Sequence, residues 1–283
     1  MNKTFMRFPG GLAKAMTLSY DDGNEQDVQL VETLDRYGLK CTFNLNTGLM
    51  PEVRPVWREG KLNRRLTPTA VKELYGNSGH EIALHSSTHV WLESIPSAYA
   101  MKEILDNKVA LEALFERPVR GLAYPFGTYS EEVVDILKSC GIVYARTVND
   151  NKKFELPTDW LCWDPTCRHL CPDLMTLGEN FVNMKPERKV KVFYLWGHGF
   201  EFERDNNWEL IENFGKLVGH KDDIWYATNI EIYDYVKAYE SLIWTTDLSI
   251  VKNPTATYIW VLVCQHGKRE QTVMIPSGAT VKL

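Results

Sequence analysis

Leu18-Ser19-Tyr20-Asp21-Asp22-Gly23 closes the first apolar run of the chain with two adjacent carboxylates. Ile82-Ala83-Leu84-His85-Ser86-Ser87-Thr88-His89 closes a later run with two histidines four residues apart. One carboxylate and two neutral imidazoles form a ligand set that suits zinc or a similar divalent ion. The other carboxylate stays free beside them. The two stretches together therefore predict a mononuclear metal site at the ends of two strands.

Apolar, strand-like runs alternate with helix-period segments, which is the pattern of parallel strands joined by helical crossovers. Seven strands are predicted, at residues 15–20, 41–45, 81–85, 121–124, 143–146, 190–196 and 224–227. Seven such units predict an α/β fold, a distorted seven-stranded (β/α) barrel related to the TIM barrel. Function gathers at strand ends in such barrels, and the polar motifs of this chain lie there.

Two helix starts and one buried helix face are also predicted. Thr67 before Pro68 and Ser130 before Glu131 have the composition of helix N-termini. Apolar residues at roughly helical spacing within 97–115 predict one buried face. That face would contain Met101, Ile104, Leu105, Leu111, Leu114 and Phe115.

The last part of the chain changes character. Short strand-like runs at 258–264, 270–275 and 280–282 are separated by turn residues and predict a three-stranded meander. We therefore expect a catalytic domain over 1–245 and a small β-stranded C-terminal extension over 246–283. The extension is too small for a core of its own, so it should pack on the barrel or on another copy, which leaves a homo-oligomer open.

The composition excludes several classes of partner. The net charge is −5 and no basic cluster stands out, which argues against nucleic acid. The apolar runs are too short for a membrane span, and the N-terminus lacks a signal-peptide core, so we expect a cytoplasmic protein and no membrane. The six cysteines are scattered and are expected to be reduced, and the spacing of Cys162, Cys167 and Cys171 fits no common zinc motif.

The motifs resemble those of the polysaccharide deacetylase family with NodB homology, carbohydrate esterase family four, over residues 16–241. The stretch 18–23 is similar to the first motif of the family, and 79–89 is similar to the second. Ala123-Tyr124-Pro125-Phe126-Gly127 resembles the third, which forms a wall of the groove and lends the backbone N–H of Phe126 to the oxyanion. His198 in Leu195-Trp196-Gly197-His198-Gly199 resembles the catalytic histidine of the last motif.

The residue types and the resemblance imply the same roles. Asp22, His85 and His89 would bind one divalent metal, zinc first, with cobalt, nickel or manganese as alternatives. Asp21 would act as the base toward a metal-activated water, and His198 as the acid. The residues expected to contact the substrate or its oxyanion are Tyr124, Pro125, Phe126, Trp163 and Trp196. The implied activity is removal of N- or O-linked acetyl groups from a saccharide substrate.

The third motif departs from the family pattern at Ala123, because the family often has an arginine there that orients the catalytic Asp. Arg120 lies three residues too early and is expected to point away from the barrel mouth. Arg146 ends the neighbouring predicted strand, so its guanidinium could reach Asp21. We therefore predict that Arg146 takes the catalytic positioning role.

The last motif departs as well. Gly199 follows His198 where the family usually has an aspartate, so Glu201 or Asp164 would have to orient the histidine. These departures motivate one alternative, a catalytically inactive metal-containing carbohydrate-binding protein. The other alternative is a cyclic amide or ureide hydrolase of the same fold.

The remaining histidines and aromatics have plainer interpretations. Trp91, Phe200 and Trp208 could stack on sugars, although most tryptophans at strand ends are part of the core. The histidines interpreted as structural or solvent-facing are His80, His169, His220 and His266.

Overall fold

The computed structural model describes residues 3–186, 188–265, 267 and 269–283; His266 lies outside them. The strands are β1 (Lys3–Arg7), β2 (Lys14–Asp21), β3 (Cys41–Leu45), β4 (Glu81–Leu84), β5 (Gly121–Ala123), β6 (Tyr144–Arg146), β7 (Cys167–Arg168), β8 (Lys191–His198), β9 (Ile224–Tyr226), β10 (Ile243–Trp244), β11 (Ile250–Lys252), β12 (Ile259–Cys264), β13 (Gln271–Ile275) and β14 (Thr280–Lys282). The α-helices are α1 (Asp27–Arg36), α2 (Pro68–Tyr75), α3 (Ser97–Phe115), α4 (Glu131–Ser139), α5 (Leu174–Asn183), α6 (Phe200–Arg204), α7 (Glu209–Val218) and α8 (Asn229–Glu240).

Seven parallel strands form the distorted barrel that the sequence predicts. Their order is β6-β5-β4-β3-β2-β8-β7, and each neighbouring pair is parallel. A single bridge between Arg146 and Trp163 joins β6 to the segment that leads into β7. This bridge brings the two edges of the curved sheet together.

One member of the barrel differs from the predicted set. The two-residue strand β7 completes the order, and it is too short to leave a periodic pattern in the sequence. The predicted last strand, 224–227, is observed as β9 and pairs only with Lys14–Met16 at the start of β2. It shares that edge with β3, which pairs with Leu18–Asp21.

The strand register gathers polar side chains at the carboxyl ends of the strands. Every residue of β2 is buried, as expected for a parallel strand covered on both faces. Asp21, the last residue of β2, is paired with Asn44 on one side and with His198 on the other. Arg146 pairs with Ala123. The fold therefore places these residues around one rim of the barrel.

The predicted helix caps are present. The Thr67 hydroxyl accepts a hydrogen bond of 3.2 Å from the backbone N–H of Ala70, at the start of α2. The Ser130 hydroxyl accepts one of 3.3 Å from Val133 at the start of α4. Each bond satisfies a backbone donor that has no partner within the helix.

The predicted buried face of α3 is wrong in part. Met101 and Leu105 are 37% and 40% exposed, whereas the buried residues of the helix are Ala100, Ile104, Asn107 and Leu111. The amide of Asn107 accepts a bond of 3.1 Å from the backbone N–H of His85 and donates one of 3.0 Å to Thr47. A buried amide needs both bonds, so it fixes the rotation of the helix and turns two apolar side chains outward.

The predicted meander is also corrected. Strands β12 and β13 form the expected antiparallel pair, but β14 pairs with β11 in a separate sheet, and the N-terminal β1 pairs with β12. These strands pack on the barrel through α8, where the Tyr235 hydroxyl donates to the Arg7 carbonyl at 2.5 Å and accepts from the Trp260 N–H at 3.0 Å. Among the helices of the described residues, none has the length and apolar character needed to cross a membrane.

The rotation of α3 gives a stability prediction. Replacing the fully buried Leu111 with alanine should leave a cavity and lower the free energy of unfolding by about 2–5 kcal/mol. The same substitution at Leu105, on the exposed side of the helix, should cost about 0.5 kcal/mol or less. Urea unfolding of both variants measures the difference. Equal losses would contradict the observed rotation.

Candidate active site

Three possible metal ligands come together at the carboxyl ends of β2 and β4. They are Asp22, His85 and His89, and we call them the metal-type cluster. Their ligand atoms lie within 4.8 Å of one another. The Nε2 atoms of His85 and His89 are each 4.0 Å from Asp22 Oδ1. A carboxylate and two imidazoles at this separation can close around one divalent ion.

The surroundings of the histidines suit metal binding. His85 Nδ1 lies 2.8 Å from the Ala123 carbonyl oxygen, which assigns the ring proton to Nδ1 and leaves Nε2 as the free donor. Burial lowers the pKa of His85 to about 4 and also lowers the pKa of His89. Both rings are therefore neutral near pH 7, which is the form that binds metals. The donor set thus fits the metal that the motifs imply.

Arg65 is a neighbour of this cluster that the sequence analysis missed. Its Nη1 lies 2.9 Å from Asp22 Oδ1 and also donates to the Asp22 carbonyl. A short backbone bridge to Asn24 holds Arg65 there. Asp22 itself has a φ of 90°, in a region that disfavours residues other than glycine. The Arg65 guanidinium therefore contacts both the carboxylate and the backbone carbonyl of Asp22. Arg65 lies in an irregular segment, which leaves no periodic pattern in the sequence.

Arg146 contacts Asp21 directly. Arg146 Nη2 lies 2.7 Å from Asp21 Oδ1 and 2.5 Å from Oδ2, and the Asn44 amide donates to Oδ1 at 2.8 Å. Burial alone would raise the pKa of Asp21, but the charge of Arg146, with those of two nearby histidines, lowers it to about 2. Arg120 instead pairs with Asp234 at 2.6 Å, away from this rim.

His198 is joined to two carboxylates. Its Nδ1 lies 3.3 Å from Glu201 Oε2, and its Nε2 lies 3.8 Å from Asp21 Oδ2. Burial alone would lower the pKa of His198, but the hydrogen bond to Glu201 and the charge of Asp21 raise it. Asp164, the other candidate partner, accepts hydrogen bonds from Thr147 and Asn149 instead.

Glu201 is held as a carboxylate by several donors. Arg204 Nη1 lies 3.2 Å from its Oε1, and Arg168 donates to the same oxygen. Burial would raise the pKa of Glu201, but the bond to His198 and the surrounding positive charges lower it to about 2. His169 is buried and stacks on Tyr20 and Phe202, which agrees with its interpretation as a structural residue.

Gly199 is required by a close approach of Asp27. A Cβ at position 199 would lie 2.1 Å from Asp27 Oδ1, so a larger side chain there would have to displace the buried Asp27 carboxylate. The other oxygen of Asp27 accepts hydrogen bonds from the Tyr75 hydroxyl at 2.8 Å and the Asn24 N–H at 3.1 Å. Burial raises the pKa of Asp27 to about 7.

The residues that were expected to contact the substrate differ in their exposure to solvent. Tyr124 and Pro125 are buried, and the Tyr124 hydroxyl donates to the Leu161 carbonyl at 2.9 Å. Phe126 is 42% exposed and its ring centroid lies 4.4 Å from that of His89. Trp163 is only 1% exposed and packs against buried aromatic rings, so the expectation that it contacts a sugar is not kept.

Trp196 is also largely buried, and two arginines contact its ring. The guanidinium carbons of Arg146 and Arg168 lie 4.7 Å and 5.2 Å from its ring centroid. Its indole N–H donates to Asp150 at 2.8 Å. The ring therefore contacts both the arginine that holds Asp21 and the arginine that holds Glu201.

Comparison with known proteins gives related sequences and folds. A family model described as polysaccharide deacetylase matches residues 10–145. YxkH, a proposed polysaccharide deacetylase of Bacillus subtilis, is 25% identical over 131 residues, which are 45% of this chain and 42% of YxkH. The match thus spans less than half the length of this curated relative.

Two crystal structures share the fold. A proposed polysaccharide deacetylase from Mycobacterium smegmatis has a TM-score of 0.56 and 16% identity, covering 83% of this chain and 94% of that one. The Xyl-CE4 domain of a multidomain xylanase from the hindgut metagenome of Trinervitermes trinervoides has a TM-score of 0.52 and 15% identity, covering 80% and 92%. The sequence match includes both stretches that supply Asp22, His85 and His89, and residues 10–145 are similar to the polysaccharide deacetylase family.

Proposed function

We propose that this protein is a metal-dependent hydrolase that removes acetyl groups, N- or O-linked, from a carbohydrate. The observation that carries the proposal is the cluster of Asp22, His85 and His89, with ligand atoms within 4.8 Å of one another. Beside it, one carboxylate is paired with an arginine and one histidine is paired with a carboxylate. Hydrolysis of an acetyl group needs these three parts, a metal site, a base and an acid.

Zinc is the metal that we propose, because its usual catalytic sites combine histidines with one carboxylate and leave a position open. Cobalt, nickel and manganese are the alternatives. When bound, such an ion supplies Lewis acidity toward water and toward the acetyl carbonyl oxygen. Asp22, His85 and His89 would hold it.

Asp21 is the proposed base, which takes the proton from the attacking water. Arg146 and Asn44 bind its oxygens, so they keep the carboxylate ionised and fix its direction. The ion pair is buried, and it therefore loses little strength to solvent screening. Because Asp21 lies next to Asp22 in the chain, the base stays beside the metal ligands.

His198 is the proposed acid, which donates a proton from Nε2 to the departing sugar nitrogen or oxygen. Glu201 binds Nδ1, and its negative charge favours the protonated ring that an acid must start from. We propose that the backbone N–H of Phe126 binds the oxyanion at the opposite wall of the groove.

The contacts of Arg146 and Glu201 favour an active enzyme over the inactive alternative. That alternative was motivated by Ala123 and Gly199, where the family usually has an arginine and an aspartate. Arg146 binds Asp21 from the strand beside Ala123, and Glu201 binds His198 from the helix that follows it. Arg146 and Glu201 can therefore take the places of the arginine and the aspartate that the family pattern has at positions 123 and 199.

Removing the metal tests the central claim. Zinc-loaded protein should release acetate from acetylated oligosaccharides, and a chelator should abolish the release until zinc or cobalt is added back. Asp22→Ala should lose both stoichiometric zinc binding and acetate release, because one of three ligands is gone. Asp222→Ala, an exposed acid, serves as the control and should keep both. Full activity in the metal-free protein would contradict the proposal.

The assignment of the base has its own test. Asp21→Asn should bind zinc like the wild type, because the three ligands are intact, but should lose roughly 10²- to 10⁴-fold in turnover. Zinc content measured by elemental analysis and acetate release measured on the same sample separate the two effects. An Asn variant with wild-type turnover would remove Asp21 from this role.

The role of Arg146 is tested with a matched pair of variants. Arg146→Lys keeps the charge but loses the paired contacts to Asp21, so turnover should fall roughly 10- to 100-fold with zinc binding unchanged. Arg120→Lys, in the partly exposed ion pair with Asp234, should stay within about twofold of the wild type. If Arg146→Lys matched that control, Arg146 would not position the base.

A further inference from the structure

Trp91 and Phe126 form a stacked pair of exposed rings next to the metal-type cluster. Their centroids lie 3.7 Å apart with an angle of 7° between the ring planes. Trp91 is 50% exposed and Phe126 is 42% exposed. Phe126 also meets His89 at 77°, so Trp91 lies two ring contacts from a candidate metal ligand.

The turn that carries Phe126 holds its ring at the rim. Phe126 has a φ of 60°, within the turn Pro125–Gly127, which is closed by a 2.9 Å bond from the Gly127 N–H to the Tyr124 carbonyl. Gly127 packs against Val148 so closely that a Cβ there would lie 2.1 Å from it. A left-handed backbone is unfavourable for phenylalanine, so the packing of the turn keeps Phe126 in this position.

The segment that carries Trp91 is fixed on both sides. The Thr88 N–H and hydroxyl donate to the Glu103 carboxylate at 2.8 Å and 2.7 Å. Leu92 is buried in the barrel core. The indole therefore projects from an anchored backbone, with one face against Phe126 and half of its surface open to solvent.

Two large rings left exposed in this way are unfavourable in water, and such surfaces usually bind something. The C–H face of a pyranose ring is flat and weakly apolar, so it matches an open indole face. We propose that Trp91, backed by Phe126, forms a sugar-binding subsite that stacks on a pyranose ring of the acetylated substrate. This inference rests on the proposed function, and it makes Trp91 a determinant of saccharide over non-sugar substrates.

The kinetic test compares a saccharide with a small ester. Zinc-loaded wild type, Trp91→Ala and Trp91→Phe are assayed on N-acetylchitopentaose, acetylated xylopentaose and 4-nitrophenyl acetate, which has no sugar ring. In Trp91→Ala, the ratio of kcat/KM for the better saccharide to that for the ester should fall roughly tenfold or more, mainly through KM. Trp91→Phe should recover most of the ratio. Tyr258→Ala, which removes a 52% exposed ring just before β12, should leave the ratio unchanged.

A binding measurement separates this inference from the proposed function. Calorimetric titration of the two saccharides into Asp21→Asn, with and without Trp91→Ala, needs no turnover, and the second substitution should weaken binding roughly tenfold. A wild type that hydrolyses no acetyl group would contradict the proposed function, yet weaker binding in the double variant would still support the subsite. Equal binding with and without Trp91, no binding of either saccharide, or equal losses on ester and saccharide would overturn the subsite.

Discussion

The ion pair between Asp21 and Arg146 is the interaction on which the rest of this site depends. Both side chains are buried, and the cost of burying a single unpaired charge is several kcal/mol, so each residue needs the other. Asp21 ends β2 and Arg146 ends β6, four positions apart in the strand order, and the pair therefore ties the curvature of the sheet to the direction of one carboxylate. Because Asp22 is the next residue, that direction also fixes where the metal-type cluster can form.

A second carboxylate–arginine pair lies beside His198, and both pairs contact the ring of Trp196. Glu201 is held by Arg168 as Asp21 is held by Arg146, and both guanidinium groups contact the ring of Trp196. Each arginine thus contacts a carboxylate and one indole ring. The two sides of the proposed chemistry therefore share contacts with one indole ring.

Local patterns in the sequence account for much of this molecule, and long-range contacts account for the rest. Strand periodicity places Asp21, His85 and His198 at strand ends, and the strand order explains why Arg146 lies beside Ala123. The contact of Arg65 with Asp22 spans an irregular loop, and β7 has only two residues, so neither leaves a periodic signal. The third strand of the predicted meander has the right composition but a different partner, because hydrophobic alternation identifies a strand and not its neighbour.

The contact between Gly199 and Asp27 limits which substitutions this chain can tolerate. An aspartate at position 199 would bring its Cβ to 2.1 Å from Asp27 Oδ1, so the buried Asp27 carboxylate would have to move. Asp27 in turn cannot be removed without leaving the Tyr75 hydroxyl and the Asn24 N–H without their buried acceptor. Placing a side chain at position 199 therefore calls for a coordinated change at Asp27, and either substitution alone is expected to lower the stability of the fold.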